Sequence, residues 1–285
     1  MRPALAPTAV ADVLVGAVYA GGGTTFPVIG ACIASACIYM GGMVLNDLAD
    51  RDKDAYLNPQ RPLVVNPKLA PMAWVTVLIL FLVGLFFAAW AGVGIVGGVV
   101  AALAITYCIL TNGKFPADVL TMGTVRAANL GMGLAVAGFN LFSAEAATML
   151  IAYGLYIGGI SAASRAEDFK TDGARRKTVT VSSAVMLVGV GAMSSMAADA
   201  GGMSLFLLML GPIGLLLLLV LKAGDKASVK RFVLYSLLGI YVLHACLMWS
   251  TKHFLTAGAM VGLAALSYVI LRALKPAPEP TSPTA

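Results

Sequence analysis

Residues 28–54 read VIGACIASACIYMGGMVLNDLADRDKD. The first part is apolar and uncharged, and its length approaches the ~20 residues that a helix needs to cross a bilayer. The second part, Asn46 to Asp54, is dense in charge. An apolar helix running straight into acids is the unit from which the rest of the chain can be read. With the run at about 28–47, nine further runs occupy about 7–27, 70–91, 92–111, 117–138, 146–164, 178–198, 202–221, 229–250 and 254–273. Several are separated only by tight glycine turns, such as Gly21-Gly22-Gly23 and Gly201-Gly202.

Composition agrees with this division. Hydrophobic residues make up 60% of the 285 and charged residues 11%, against about 25% charged in soluble domains. Mean hydropathy is +0.91. These values argue against a disordered chain and a soluble enzyme. Continuous runs, rather than alternation over about ten residues, argue against a membrane β-barrel. The expectation is an all-α polytopic membrane bundle, one domain over 1–275, with a disordered Pro-rich tail over 276–285. The 31 glycines suit close packing of membrane helices. Cys32, Cys37, Cys108 and Cys246 all lie in apolar runs and read as packing residues.

Net charge is +6, and it is distributed by loop rather than clustered for nucleic acid. With the N-terminus inside, Arg2, Arg51, Lys53, Arg61, Lys68, Lys114, Arg165, Lys170, Arg175, Arg176, Lys177, Lys222, Lys226, Lys230, Arg231, Arg272 and Lys275 share one side, 17 of the 19 basic residues. Only Lys252 lies in an outside loop. This asymmetry predicts ten spans with both termini cytoplasmic. It also puts the two longest polar connections, at about 46–69 and 165–177, on the cytoplasmic face.

Those connections carry the candidate chemistry. On a helix, Asn46, Asp50 and Asp54 share one face, with Asp47 beside it. Carboxylates stacked this way repel one another, so something positive belongs among them. An all-oxygen set without His or Cys suits Mg²⁺, which keeps waters and shares its shell with phosphates. In the second connection, Asp168 and Asp172 repeat the four-residue spacing, beside Glu167. Asp50 and Asp168 are 118 positions apart, which suggests two halves facing one cavity. Arg61 follows the first cluster; Arg175, Arg176 and Lys177 follow the second. Acids for metal flanked by cations for phosphate describe a diphosphate site. A solvated, charged loop is the bland alternative, and two clusters at equivalent places weaken it.

Other residues stand out singly. Arg126 falls mid-helix, where an arginine costs about 2.5–3.5 kcal/mol to insert. It needs a partner, either a ligand or a buried acid such as Asp12, and Asn129 shares its face. Lys114 ends the fourth run and is either a diphosphate contact or an interface lysine. Tyr107, Tyr153 and Tyr156 are candidates to flank a carbocation or to pack. His244 and His253 read as structural.

At these residues the chain resembles the UbiA superfamily of intramembrane prenyltransferases, which carries NDxxDxxxD after its second helix and a DxxxD-type motif after its sixth. Asn46, Asp47, Asp50 and Asp54 match the first motif, followed by Arg61-Pro62-Leu63; Asp168 and Asp172 match the second. The likeness covers about residues 1–250. Arg2-Pro3, Ala11-Asp12, Gly41 to Asp47, Met122 to Gly131 and Ser164 to Glu167 resemble the UbiA-like proteins of Ebo clusters. Two departures are visible. The family usually has nine helices, so 254–273 is an extra tenth, and Arg176 stands where a glycine is common.

The resemblance implies a Mg²⁺-dependent prenyl transfer in the cytoplasmic membrane of a prokaryote. Asn46, Asp47, Asp50, Asp54, Asp168 and Asp172 would ligate two Mg²⁺ ions, with Asp50, Asp54, Asp168 and Asp172 carrying the ionisation. Asn46, Arg61, Lys114, Arg126, Asn129, Arg175, Arg176 and Lys177 would bind substrate. The partners implied are a prenyl diphosphate donor, an aromatic or other lipophilic acceptor and membrane lipids, with no nucleic acid. A terpene cyclase on the same scaffold, or a non-catalytic lipid or diphosphate carrier, would share much of this pattern.

Overall fold

The computed structural model describes residues 5–57, 59–197, 207 and 209–273. Arg2, Pro3, Gly201, Gly202, Lys275 and the tail lie outside them. The described residues are mostly helical, with no strand among them. The long helices are α1 (Ala6–Tyr19), α2 (Phe26–Ala49), α5 (Ala70–Trp90), α6 (Gly94–Thr106), α7 (Ala117–Val136), α8 (Ala144–Ser164), α9 (Asp172–Ser194), α10 (Leu210–Ala223), α11 (Lys226–Ser250) and α12 (Phe254–Ala273). Two short helices, α3 (Arg51–Leu57) and α4 (Pro62–Val65), follow α2.

Local chemistry sets the helix ends. Pro7, Pro27 and Pro71 sit in the first turns of α1, α2 and α5, where the missing N–H costs nothing. Ser143 and Asp225 accept backbone N–H bonds from Ala146 and Ser228 at 3.1 and 2.8 Å, capping α8 and α11. Among the described residues, seven helices are long and apolar enough to cross a membrane, and three shorter apolar ones lie at Ala6–Tyr19, Leu210–Ala223 and Phe254–Ile270. The chain is an integral membrane protein. Leu78, Leu82 and Phe86 of α5 and Leu215, Leu218 and Leu219 of α10 face outward, as a lipid-facing surface requires.

Three boundaries differ from the sequence expectation. The first run ends as a helix at Tyr19, because Gly21 and Gly23 take φ of +80° and +57° and turn the chain. The ninth helix in chain order, α9, starts at Asp172 rather than near 178, so Arg175, Arg176 and Lys177 lie on a helix rather than in a loop. The run at 202–221 is helical from Leu210, and its earlier part falls largely outside the described residues.

The packing that matters most for the interior is α1 against α7. A Cβ on Gly133 would sit 2.1 Å from the Val13 carbonyl oxygen, and one on Gly16 would sit 2.4 Å from that of Leu130. Only glycine permits this backbone approach. It draws Asp12 of α1 within hydrogen-bond range of Arg126 and Asn129 of α7. Tyr153, Tyr156, Phe232 and Tyr241 fill the interior beside it.

Candidate active site

The helix of α2 continues almost unbroken into α3. Backbone bonds from Asp50 to Asn46 and from Asp54 to Asp50 measure 2.9 and 2.8 Å. Asn46, Asp50 and Asp54 therefore share a face, as their spacing predicts. The Asn46 amide donates to Asp50 Oδ2 at 2.8 Å. Arg61 reaches back from beyond α3, its Nη1 lying 2.5 Å from Asp54 Oδ2 and 3.1 Å from Asp47 Oδ1. Asp54 is buried. The positive charge that the stacked carboxylates need is supplied here by Arg61.

Asn112 completes the cluster. Its amide donates to Asp50 Oδ1 at 2.9 Å and to Asn46 Oδ1 at 3.2 Å. Sequence reading passed over this residue in favour of Lys114, two positions on, which is exposed in the same turn. The turn itself, Thr111-Asn112-Gly113-Lys114, was the available signal. The last turn of the preceding helix widens to a π-helix over Tyr107–Thr111, and such widenings are frequent at functional sites.

The second cluster is built differently from the expected helical pair. Arg165–Asp168 form a 3₁₀ turn, Phe169 is extended at φ −73°, ψ 140°, and Asp172 opens α9. Asp168 and Asp172 are both exposed and do not stack on one helix face. The Thr171 side chain competes for the chain by capping α9, so the helix restarts rather than runs through. Asp172 pairs with Arg175 at 2.7 Å. The Arg176 guanidinium packs against Gly224, and Lys177 is exposed. Next to this cluster, Arg165 forms an ion pair with Asp118, which is buried at the start of α7.

Arg126 is buried and paired. Its Nη2 contacts Asp12 Oδ1 at 3.0 Å and Tyr153 Oη at 3.2 Å, and its Nη1 contacts Thr8 Oγ1 at 3.1 Å. The Asn129 amide donates to Asp12 Oδ2 at 3.0 Å, and Tyr153 donates to Asp12 Oδ1 at 2.5 Å. The buried acid is thus the partner. Tyr156 donates to the Ser236 carbonyl. His244 is wholly buried, with Nε2 3.7 Å from Asp12 Oδ1 and its ring against Tyr153.

A cavity of about 370 Å³ runs between Asn46 of the first cluster and the Arg126 network. Asn46, Ser161 and Ser164 line it, as do Tyr39 and Tyr107, and Thr8, Arg126 and Asn129 contribute to its wall. Ile38, Val100, Val125, Ile157 and Leu237 supply apolar wall. Arg126 is the one charged lining residue among the described residues. Tyr107 borders the space; Tyr153 and Tyr156 are not in its lining.

Among the described residues, no three His, Cys, Asp or Glu side chains are gathered as metal ligands. Asp50 is turned to two amides, while Asp47 and Asp54 take Arg61. The donors themselves are hard carboxylate and amide oxygens, and each carboxylate retains acceptor capacity. The set fits Mg²⁺ in kind.

No family model and no curated protein matches the chain. Solved structures do. A UbiA homologue from Aeropyrum pernix K1, in its apo form, aligns with TM-score 0.72 at 19% identity, covering 88% of this chain and 99% of that one. The fold is the UbiA fold. A UbiA homologue from Archaeoglobus fulgidus bound to GPP and Mg²⁺ aligns with TM-score 0.60 at 16% identity, over 86% of this chain and 98% of that one. A digeranylgeranylglyceryl phosphate synthase aligns with TM-score 0.60 at 15% identity, over 93% and 94%. The UbiA homologue of Archaeoglobus fulgidus is also known bound to DMAPP and Mg²⁺ and bound to Cd²⁺. The C-terminal end of α2 meets the cavity, with Asn46 in its lining.

Proposed function

We propose that the protein is a Mg²⁺-dependent prenyltransferase that moves an isoprenyl group from a prenyl diphosphate to an aromatic or other lipophilic acceptor inside the membrane. The carrying observation is one continuous, mainly apolar cavity that begins at Asn46 of the acid cluster and includes Arg126. Its volume lies within the ~300–1,000 Å³ usual for small-molecule sites. The relatives of this fold captured with GPP or DMAPP and Mg²⁺ support the reading.

In this reading Asn46, Asp47, Asp50, Asp54, Asp168 and Asp172 hold two Mg²⁺ ions. When bound, the metal supplies neutralisation of the charge that builds on the leaving diphosphate. Arg61, Lys114, Arg175, Arg176 and Lys177 bind the diphosphate oxygens; Arg61 would turn from Asp47 and Asp54 toward them. Asp50, Asp54, Asp168 and Asp172 would carry the ionisation through the metal they would hold, with the diphosphate near the Asn46 part of the cavity. The C–O bond of the donor breaks with its electron pair leaving on the diphosphate, and an allylic cation remains. Tyr39 and Tyr107 present polarisable rings to it, and the apolar wall keeps water away. The acceptor, positioned near Arg126 and Asn129, forms the new C–C or C–O bond and loses a proton to the departed diphosphate.

The test is incubation of the purified protein in lipid nanodiscs with Mg²⁺ and geranyl, farnesyl or geranylgeranyl diphosphate, with and without membrane lipid extract, followed by mass spectrometry. Mg²⁺-dependent diphosphate release and a prenylated product that needs the extract are expected, both lost with EDTA. A cyclic hydrocarbon formed without extract would make it a cyclase. No consumption of any donor would overturn the reading. We also propose that the protein lies in a prokaryotic cytoplasmic membrane as one transmembrane unit with both termini inside, an orientation that the distribution of basic residues supports. A reporter fused to the C-terminus should read cytoplasmic; a signal from the far side would refute the ten-span topology.

A further inference from the structure

Seven residues, Asn112 to Asp118, run from the end of the π-turn after α6 into the first turn of α7. One end of this turn grips the first acid cluster. Asn112 donates to both Asp50 and Asn46, residues 62 and 66 positions away in the chain. The other end grips the second. Asp118, 5% exposed, accepts from Arg165 Nε at 2.8 Å. Arg165 is the first residue of the 3₁₀ turn that ends on Asp168. Its guanidinium also lies over the Phe115 ring, 5.7 Å from the centroid, so two residues of the turn hold it.

The turn is itself stiff. Asn112 N–H bonds to the Tyr107 carbonyl at 2.8 Å, Lys114 N–H to Thr111 at 2.8 Å and Asp118 N–H to Lys114 at 3.1 Å. The remaining Asp118 oxygen accepts from Val119 N–H at 2.8 Å, which fixes the carboxylate on the helix end. A buried carboxylate bonded to an arginine and a backbone N–H has little freedom to swing.

We propose that the α6–α7 turn is a strut that sets the spacing of the two acid clusters, with Asn112 and Asp118 as positioning residues for diphosphate ionisation. The two clusters come from separate helix pairs, the first from α2 and α3 and the second from the junction of α8 and α9. A diphosphate held between them needs a defined gap, since sub-ångström placement governs how well positioned groups act. The strut meets each cluster through a group that touches its acids or the turn carrying them. This inference rests on the prenyl diphosphate reading of the site, while the spacing it predicts exists without any ligand.

The experiment therefore separates the two. Spin labels on non-natural side chains at exposed positions 52 and 170 report the distance between clusters in protein without metal or substrate. The wild type should give a narrow distribution. Asp118→Asn, which keeps shape and removes charge, should broaden it, whereas Arg165→Lys with Asp118 intact should leave it nearly as narrow as the wild type because the pair keeps its charges. Asn112→Ala is the second variant and should broaden it likewise. In the same proteins, the Mg²⁺ concentration for half-maximal geranyl diphosphate binding should rise by about tenfold, as for other residues that orient metal ligands. An unchanged distribution in folded Asp118→Asn and Asn112→Ala overturns the strut. So does a lowered melting temperature with both distance and Mg²⁺ dependence unmoved, which marks an ordinary structural tie. If wild type binds no prenyl diphosphate, the site reading falls, and the ligand-free distances alone decide the strut.

Discussion

Asp54→Asn is expected to bring Mg²⁺-dependent diphosphate release close to background, a loss of at least about a hundredfold, because a ligand matters more than the outer partners whose loss costs 10–100-fold. Asp54 is the buried carboxylate of the first cluster and, of the Arg61 contacts given, the shortest. The asparagine keeps its shape and removes its charge. Arg61 would then be left to Asp47 and to the diphosphate. If both clusters hold metals on one diphosphate, Asp172→Asn should fall nearly as far, and the double variant little further. Residues acting as one unit are strongly non-additive; independent sites would add in free energy. The cycle is read as diphosphate release at saturating Mg²⁺, so that weakened metal affinity does not imitate lost chemistry. Full activity in Asp172→Asn would leave the first cluster as the only ionising site. The exposed setting of Asp168 and Asp172, one ending a 3₁₀ turn and the other opening α9 rather than both on one helix face, gives this arm of the experiment its weight.

The second large effect is on stability. Asp12→Asn and Arg126→Met each leave one charge buried between α1 and α7, and each should destabilise the protein by about 3–5 kcal/mol, the cost of breaking a buried pair from one side. Replacing both, as Asp12→Asn with Arg126→Met, should recover most of that loss, because no bare charge remains. Thermal unfolding in one detergent, followed by tryptophan fluorescence, measures it. Tyr153, Asn129 and Thr8 bond to the same two side chains, so the recovery will be incomplete. A double variant as unstable as the sum of the singles would show that the pair matters through its hydrogen bonds rather than its charge. Activity in the double variant carries separate information. Arg126 borders the cavity, and retained stability with lost transfer would mark it as a substrate contact as well as a structural partner.

What the sequence determined by itself was most of what depends on regular spacing along a single helix. Apolar run length set the helices. Four-residue spacing set the face shared by Asn46, Asp50 and Asp54, since one helix passes through all three. The need of stacked acids for a positive partner was legible, and so was a buried partner for Arg126, with Asp12 named among the choices. The second cluster resembled the first in spacing, yet spacing implies a shared face only where the helix is continuous. At Phe169 it is not, because Thr171 caps a new helix. Only the tertiary structure decided which distant groups meet. Gly16 and Gly133 let α1 and α7 approach backbone to backbone, and this carries Asp12 to Arg126 across 114 residues. Asn112 meets Asp50, and Asp118 meets Arg165, for the same kind of reason. Contacts of this kind depend on how side-chain volumes let whole helices pack, a property of pairs of surfaces that no periodicity within one segment encodes.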